Sequence, residues 1–445
     1  VVDTTRHLTS MAMVSGGEVR VTAGARMDDL LAFLHDHGKT ITNAPAPGDV
    51  TVAGVLAVDG HGTSVPAVGE APLPGRSFGT VSNLVTSVTA VVWSRERERY
   101  EERTFTFSSP ECAALSVCLG KAFITEVRLR VHDDQYLRCR CHTDIHINEL
   151  FAAPAEATPR SLSALLDRSG RVGVIWYAFT EHPWVQEWTV TPRKPVLSRP
   201  TDGPYNFPFA DNLPSPVPEL LGQLVAGHSH VAPAFGHAVL AATNAGLTAR
   251  GARDMWGPAK DFLHFVKPTT LRVSAGSHVV VTSRSSVQRV VHEFTTFIRE
   301  LLAAYRARDQ YPINSCVEIR VTGVDEAGAT LSAARAVDEH PEWDTAIWLD
   351  TLTLPGTPHE YEAFADIERF LLTNFRDIGV VRPEWAKRRR TAPGPIPWRS
   401  ATTCPTWPPA GRRRGRCSNG STRTGSSCTR SWRAPVSERP DHKAR

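Results

Sequence analysis

Residues 47–63 read Pro-Gly-Asp-Val-Thr-Val-Ala-Gly-Val-Leu-Ala-Val-Asp-Gly-His-Gly-Thr, which sets glycines at 48, 54, 60 and 62 around a single histidine, His61. No other stretch restricts the fold as much. Glycine has no Cβ, so its backbone takes positive φ and comes close to whatever it faces, with amides free to turn inward. The run therefore reads as a sinuous loop lying against a bulky ligand, with one imidazole held beside it. A histidine among glycines is by itself an ordinary turn residue, and the neighbouring segments must carry the stronger reading.

Those segments alternate between short strands and helices. Residues 18–23 alternate like a strand, and Met27, Leu30, Leu31 and Leu34 recur at helical spacing with Asp28 and Asp29 at the start and Gly38 after the end. Residues 85–93 and 104–107 read as strands around a charged 95–103 turn, followed by a helix over 110–119 and a strand over 125–131. Beyond residue 140 the strands lengthen: 172–179, 187–191, 270–275, 279–282, 317–322 and 346–354. Val287, Val290, Val291, Phe294, Ile298, Leu301, Leu302 and Tyr305 mark one face of a long helix, with Ser285 and Gln288 spaced like a capping box, and a second helix covers 360–372. A sheet covered by helices on one side buries such stripes and leaves its other face for a ligand.

The chain of 445 residues, 41% hydrophobic and 22% charged, is globular and long enough for two domains. No run of eighteen apolar residues exists, so no segment is expected to span a bilayer. The net charge of +4 conceals a division: from Lys387 onward fifteen Lys or Arg face two acids, against 35 bases and 44 acids before it. That tail, rich in Arg, Pro, Ser and Gly, lacks aliphatic periodicity and is expected to be disordered. Its rival reading is an arm for nucleic acid or another anionic surface, through Arg412, Arg413, Arg414 and Arg416. The eight cysteines show no framework spacing; Cys139 and Cys141 read as buried packing, and no metal is expected.

Two further loops follow the histidine run in order: residues 79–85 leading into 88–93, and 119–127 leading into 128–131. Together the three resemble the FAD-binding domain of the vanillyl-alcohol oxidase / p-cresol methylhydroxylase (PCMH) flavoproteins. The resemblance implies an α+β fold, with a PCMH-type FAD-binding domain over 1–140, a substrate-binding domain over 141–386 whose mainly antiparallel sheet is covered by helices on one side, and the tail over 387–445. It implies FAD joined covalently to His61 through the isoalloxazine 8α carbon. The cofactor-binding residues carried over are Pro47, Gly48, Asp49, Val50, Thr51, Gly54, Val55, Gly60, His61 and Gly62 in the first loop, Ser82 and Asn83 in the second, and Gly120, Ile124 and Val127 in the third.

Residues 316–322 read Cys-Val-Glu-Ile-Arg-Val-Thr, and the period of two sets Glu318 and Arg320 on one face with Val317, Ile319 and Val321 on the other. An exposed pair of this kind would be an ordinary ion pair. Glu-Ile-Arg, however, resembles the active-site strand of covalent-FAD cholesterol oxidases, and so do segments at 176–180, 188–190, 203–212, 267–273, 340–344 and 381–385, over roughly residues 1–387. The resemblance implies oxidation of a 3β-hydroxysterol to its 3-ketone with O2 reduced to H2O2, Glu318 taking the hydroxyl proton and Arg320 holding Glu318. Glu318 is also the candidate base for shifting the sterol double bond. Trp176, Tyr177, Phe179, Tyr205, Phe207 and Phe209 are candidate walls of an apolar pocket. Sterol and O2 are the expected partners, with no specific nucleic acid, and location outside the cell is implied by the resemblance alone.

The chain starts at Val1, after the point where the superfamily has a Gly/Ser-rich pyrophosphate loop, and relatives continue in folded chain beyond residue 387. The expectation is a product truncated at its start and frame-altered at its end. An aldonolactone-type sugar oxidase and an inactive chain that keeps the fold are the competing functions. The oligomeric state stays open.

Overall fold

A computed structural model describes residues 3–14, 17–70, 73–207, 216–326 and 331–387; the proposed tail beyond its first residue, Lys387, and Phe209 lie outside them. Two mainly antiparallel sheets organise the chain. The first has five strands in the order Met11–Val14, Glu18–Thr22, Phe123–Arg130, Val85–Ser94, Arg99–Thr106. Its inward side chains, among them Val19, Val21, Val88, Val127 and Leu129, meet Leu30, Leu31 and Leu34 of the Met27–Asp36 helix in one core. The charged segment expected as a turn is largely strand: Arg99–Thr106 pairs along Val85–Ser94 as an exposed edge, where charged side chains deter pairing with another chain.

The chain passes between sheets after Arg130 and before Tyr136. The second sheet has nine strands in the order Arg199–Pro200, Asp254–Pro258, Tyr136–His142, Trp184–Val190, Arg171–Tyr177, Cys316–Gly323, Thr345–Thr353, Ser274–Thr282, Gly379–Pro383, antiparallel except for the first pair. The separate strands expected at 270–275 and 279–282 are one strand, Ser274–Thr282, which begins later than expected and is paired on both sides from His278 onward.

One face of this sheet carries Val174, Trp176, Val185, Val317, Ile319, Val321, Ile347 and Leu349 against the helices Leu162–Ser169, Val287–Arg306 and Glu360–Asn374. The Val287–Arg306 helix has the expected apolar stripe but no capping box. Gln288 instead is buried, donating to the carbonyls of Leu150 and Ala152 and accepting from the Ser163 amide, so it serves packing between helices. On the opposite face, Ile175, Tyr177, Trp184, Trp188 and Leu352 pack with Phe207, Phe262 and Phe265 and with Leu247 of the Ala232–Ala249 helix. Cys139 and Cys141 are buried in this second core, and all five described cysteines are free. The middle of that face is polar, and there the two halves of the chain meet.

Candidate active site

The glycine run approaches the polar face of the nine-stranded sheet and is pinned to it. Thr63 Oγ1 donates to the carbonyl of Val172 at 2.7 Å and accepts from the Val321 amide at 3.2 Å, which joins the loop to two adjacent strands. Part of the run is not loop. Thr51 caps a short helix, Val52–Ala57, by accepting from the Gly54 amide, and Val52, Val55 and Leu56 face the core, so apolar spacing overrides the glycine at 54.

His61 is buried. Its ring stacks on Trp348, with centroids 3.7 Å apart and planes 8° from parallel. Nδ1 donates to the Gly62 carbonyl at 3.1 Å, and Nε2 lies 3.6 Å from Glu384 Oε1. Beside it opens a cavity of about 400 Å³ lined by Pro47, Val50, Thr51, Gly54, Val55, Gly60 and His61 from the loop and by Arg320, Glu384 and Lys387 from the sheet side. Eight residues expected from sequence thus converge. Glu318 pairs with Arg320 at 2.5 Å, and Gly62 and Arg320 line a smaller adjoining void of about 40 Å³ walled by Trp188, Phe262, Leu263 and Phe265.

The other expected residues do not line these cavities. Gly48 backs onto Asp28 and His264, and Asp49 is exposed. Ser82 donates to the Leu56 carbonyl, and Asn83 accepts from the Glu326 amide and donates to Ser77. Gly120 sits in an exposed turn, while Ile124 and Val127 belong to the core of the five-stranded sheet. Among the candidate wall aromatics, Tyr177 and Phe207 are on the pocket side, Trp176 turns to the helical face, and the Tyr205 hydroxyl donates to Asp28.

Charge at the cavity is balanced over five groups. Antiparallel pairing sets Glu318 directly opposite Asp350, and Lys387 lies 3.4 Å from Asp350 and 3.9 Å from Glu384. Burial, with the negative charges of Glu384 and Glu318, pushes the Asp350 carboxyl up to about 6 against the pull of Lys387 and Arg320. Burial also disfavours charge on Glu384, yet Lys387 and His61 hold its carboxyl well below the usual range. Arg320 and Lys387 are raised despite burial by the surrounding carboxylates. One oxygen each of Asp350 and Glu384 is buried without a hydrogen-bond partner among the described residues. A cavity with orphaned acceptors, two half-buried cations and a flat imidazole–indole stack fits a planar, polar-edged ring system such as a flavin.

Beneath His61 lies a second carboxyl pair. Asp59 has φ of 63°, in the left-handed region, and is fully buried with Asp325. Thr80 Oγ1 is 2.9 Å from Asp59 and 2.7 Å from Asp325; Ser332 Oγ is 2.9 Å and 2.6 Å from the same two. Two hydroxyl protons cannot serve four such contacts, so the doubly ionised pair leaves two unmet and one carboxyl proton supplies a third. In line with this, burial and then the charge of Asp325 push Asp59 up to about 7.

Sequence reasoning missed Trp348, Asp350, Glu384 and Lys387. The segment at 381–385 was noticed only as a family resemblance, and nothing local in Glu384 signals a partner more than 300 residues earlier.

Comparison with known proteins gives this geometry a family. The sequence model of the cholesterol oxidase substrate-binding domain matches residues 136–422, extending past residue 387. Among solved structures, a solvent-stable cholesterol oxidase is 45% identical, with TM-score 0.84, covering 87% of this chain and 74% of its own. The cholesterol oxidase from Brevibacterium sterolicum is 40% identical, with TM-score 0.84, covering 86% and 73%; a histidine-to-alanine mutant of it is 39% identical, with TM-score 0.83 and the same coverage. No curated protein matches. With a substrate-domain match over more than half its length and relatives of this identity across both sheets, the chain belongs to the cholesterol oxidase family.

Proposed function

We propose that this chain is an FAD-dependent oxidase that converts a 3β-hydroxysterol to its 3-ketone. The observation that carries this is the Glu318–Arg320 pair on the sheet face at His61, bordered by Trp188, Phe262 and Phe265. When bound, FAD supplies a hydride acceptor and passes the electrons to O2, giving H2O2. Glu318 accepts the hydroxyl proton as the carbinol hydride departs and the carbonyl forms; Arg320 orients that carboxylate and favours negative charge on the substrate oxygen. The same carboxylate is the proposed base for shifting the double bond. His61 is the proposed point of covalent attachment, with Pro47, Val50, Thr51, Gly54, Val55, Gly60 and Gly62 as the proposed cofactor-binding set. Location outside the cell is part of the same reading and follows from likeness to relatives alone.

An apolar wall favours a sterol over a sugar lactone, whose hydroxyls would need polar partners. The adjoining void is far smaller than a sterol, so entry requires the wall to open. Flavin fluorescence of the purified chain after denaturing electrophoresis tests the cofactor assignment: a fluorescent band is expected that His61→Ala abolishes. Peroxide formation with cholesterol but not with an aldonolactone is expected, and the reverse preference would sink the sterol reading.

A further inference from the structure

Three neighbouring strands of the nine-stranded sheet, and the end of a fourth, carry one row of polar side chains. Glu318 of Cys316–Gly323 stands directly opposite Asp350 of Thr345–Thr353, and Asp350 stands directly opposite Ser277 of Ser274–Thr282. Side chains directly opposite in antiparallel strands share a face, with Cβ atoms about 4.5–5.5 Å apart. Just past the edge strand Gly379–Pro383, the Glu384 amide bonds the Ser277 carbonyl at 3.2 Å, which brings Glu384 to the end of the row. Asp350, Ser277 and Glu384 are all buried, where polar groups are costly unless they are put to use. One end of the row, at Glu318 and its partner Arg320, borders the void walled by Trp188, Phe262 and Phe265. The other end, Glu384, faces His61 in the larger cavity at 3.6 Å.

Among the described residues, the row and its flanks hold three carboxyls against two permanent cations, Arg320 and Lys387. One carboxyl is therefore in surplus. Glu318 is gripped by Arg320. Glu384 is penalised by burial, yet Lys387, His61 and the Ser277 hydroxyl keep it ionised. Asp350 has the weakest support: Oδ2 is 3.4 Å from Lys387, and the enclosed Oδ1 has no hydrogen-bond partner among the described residues. Burial, with the charges of Glu384 and Glu318, outweighs Lys387 and Arg320 and sets its carboxyl at about 6. The Cys316 thiol on the same face is pushed up by burial and by Glu318 and stays neutral. Asp350 is thus mostly ionised at neutral pH, yet takes up a proton readily.

Oxidation of the carbinol sends a hydride to the bound flavin and a proton to Glu318, and O2 becomes H2O2 by gaining that hydride and one proton. The proton must leave the sterol side before Glu318 can act again, and one is needed on the flavin side. We propose that Asp350 relays it: Glu318 passes the proton to Asp350, directly or through one water, and Ser277 accepts it while donating its own toward Glu384 and the flavin cavity. One proton is released and one consumed in each turnover, so the relay closes. Asp350 acts through Glu318 and does not itself touch the substrate. The relay rests on the sterol-oxidase reading, whereas the proton affinity of Asp350 does not.

Infrared titration of the resting chain, without substrate, tests that affinity. A protonated-carboxyl band is expected to grow as pH falls through about 6, and that increment to be missing in Asp350→Asn. Rapid mixing with cholesterol then separates the first turnover from later ones. Asp350→Asn is expected to lower kcat at least about tenfold more than it slows the first flavin reduction, and to deepen the slowing of kcat in D2O. Asp350→Glu is expected to restore both, and Ser277→Ala to deepen the D2O effect at an unchanged melting temperature. A mere countercharge to Lys387 would slow first and later turnovers alike with no added D2O effect, which overturns the relay. An infrared titration identical in wild type and Asp350→Asn overturns it too. Wild type that binds flavin but never reduces it with cholesterol sinks the oxidase reading and the relay together, whereas active wild type with equal slowing in the variant sinks the relay alone.

Discussion

Asp59 shows how a single side chain ties the glycine run to the rest of the site. Its carboxyl is raised to about 7 by burial and by Asp325, so between about pH 4 and 7 the folded chain keeps a proton that the unfolded chain has released. Its contribution to stability is therefore full at low pH and falls as pH rises through that window. Asp59→Asn mimics the protonated form, and its melting temperature relative to wild type is expected to improve steadily from pH 4 to 7.5 in a thermal series; a constant deficit would mean that the carboxyl acts only as an anchor. Glu318→Gln leaves Arg320 buried without its partner charge and is expected to cost at least tenfold in kcat with an intact flavin spectrum. The Glu318–Arg320 face was legible because a strand alternates strictly and the residues between them are aliphatic. Trp348 and Asp350 were not, because they lie in a strand buried on both faces, where alternation is hidden.

Among the longer helices, one with a strong amphipathic stripe was read correctly and one without it was missed. The Val287–Arg306 helix announces itself through its stripe, and Phe294 at its centre is fully buried; Phe294→Ala is expected to destabilise by about 3–5 kcal/mol, measured as a lowered urea midpoint. The Ala232–Ala249 helix went unread since alanine, glycine and threonine are spread around all its faces. It docks through Gly236, where an added Cβ would run into the Ala178 carbonyl. Residues 99–103 of the Arg99–Thr106 strand were mistaken for a turn because charged residues have low strand preference, and the pairing that overrides this is supplied by Val85–Ser94. Its loop-level counterpart is Gly62, whose Cβ would lie 2.9 Å from the Ala44 carbonyl oxygen; Gly62→Ala is expected to displace the His61 segment and reduce flavin incorporation, read by absorbance of the purified chain.

At the scale of the whole molecule, the interface between the two sheets is the functional structure, and a second contact across it can be tested. Asp28, from the five-stranded side, accepts from Tyr205 at 2.7 Å and lies 2.7 Å from His264 Nδ1, both from the other side. Burial opposes its charge, but these bonds more than offset that and hold its carboxyl below the usual range. The stability it contributes is present above the ordinary carboxylate pKa and lost as pH falls through the depressed value. Tyr205→Phe is expected to cost about 1 kcal/mol at neutral pH, with the difference narrowing in acid. Sequence reading did not see this seam, which depends on side chains some 180 to 240 positions apart. The seam also carries its own gauge. His61 comes from one half and Trp348 from the other, and they lie face to face at 3.7 Å. Indole emission is quenched by a stacked imidazole, the more so when that imidazole is charged, so any parting of the halves should brighten Trp348. Opening of the interface can thus be timed optically in the unlabelled chain, with Trp348→Phe as the blank.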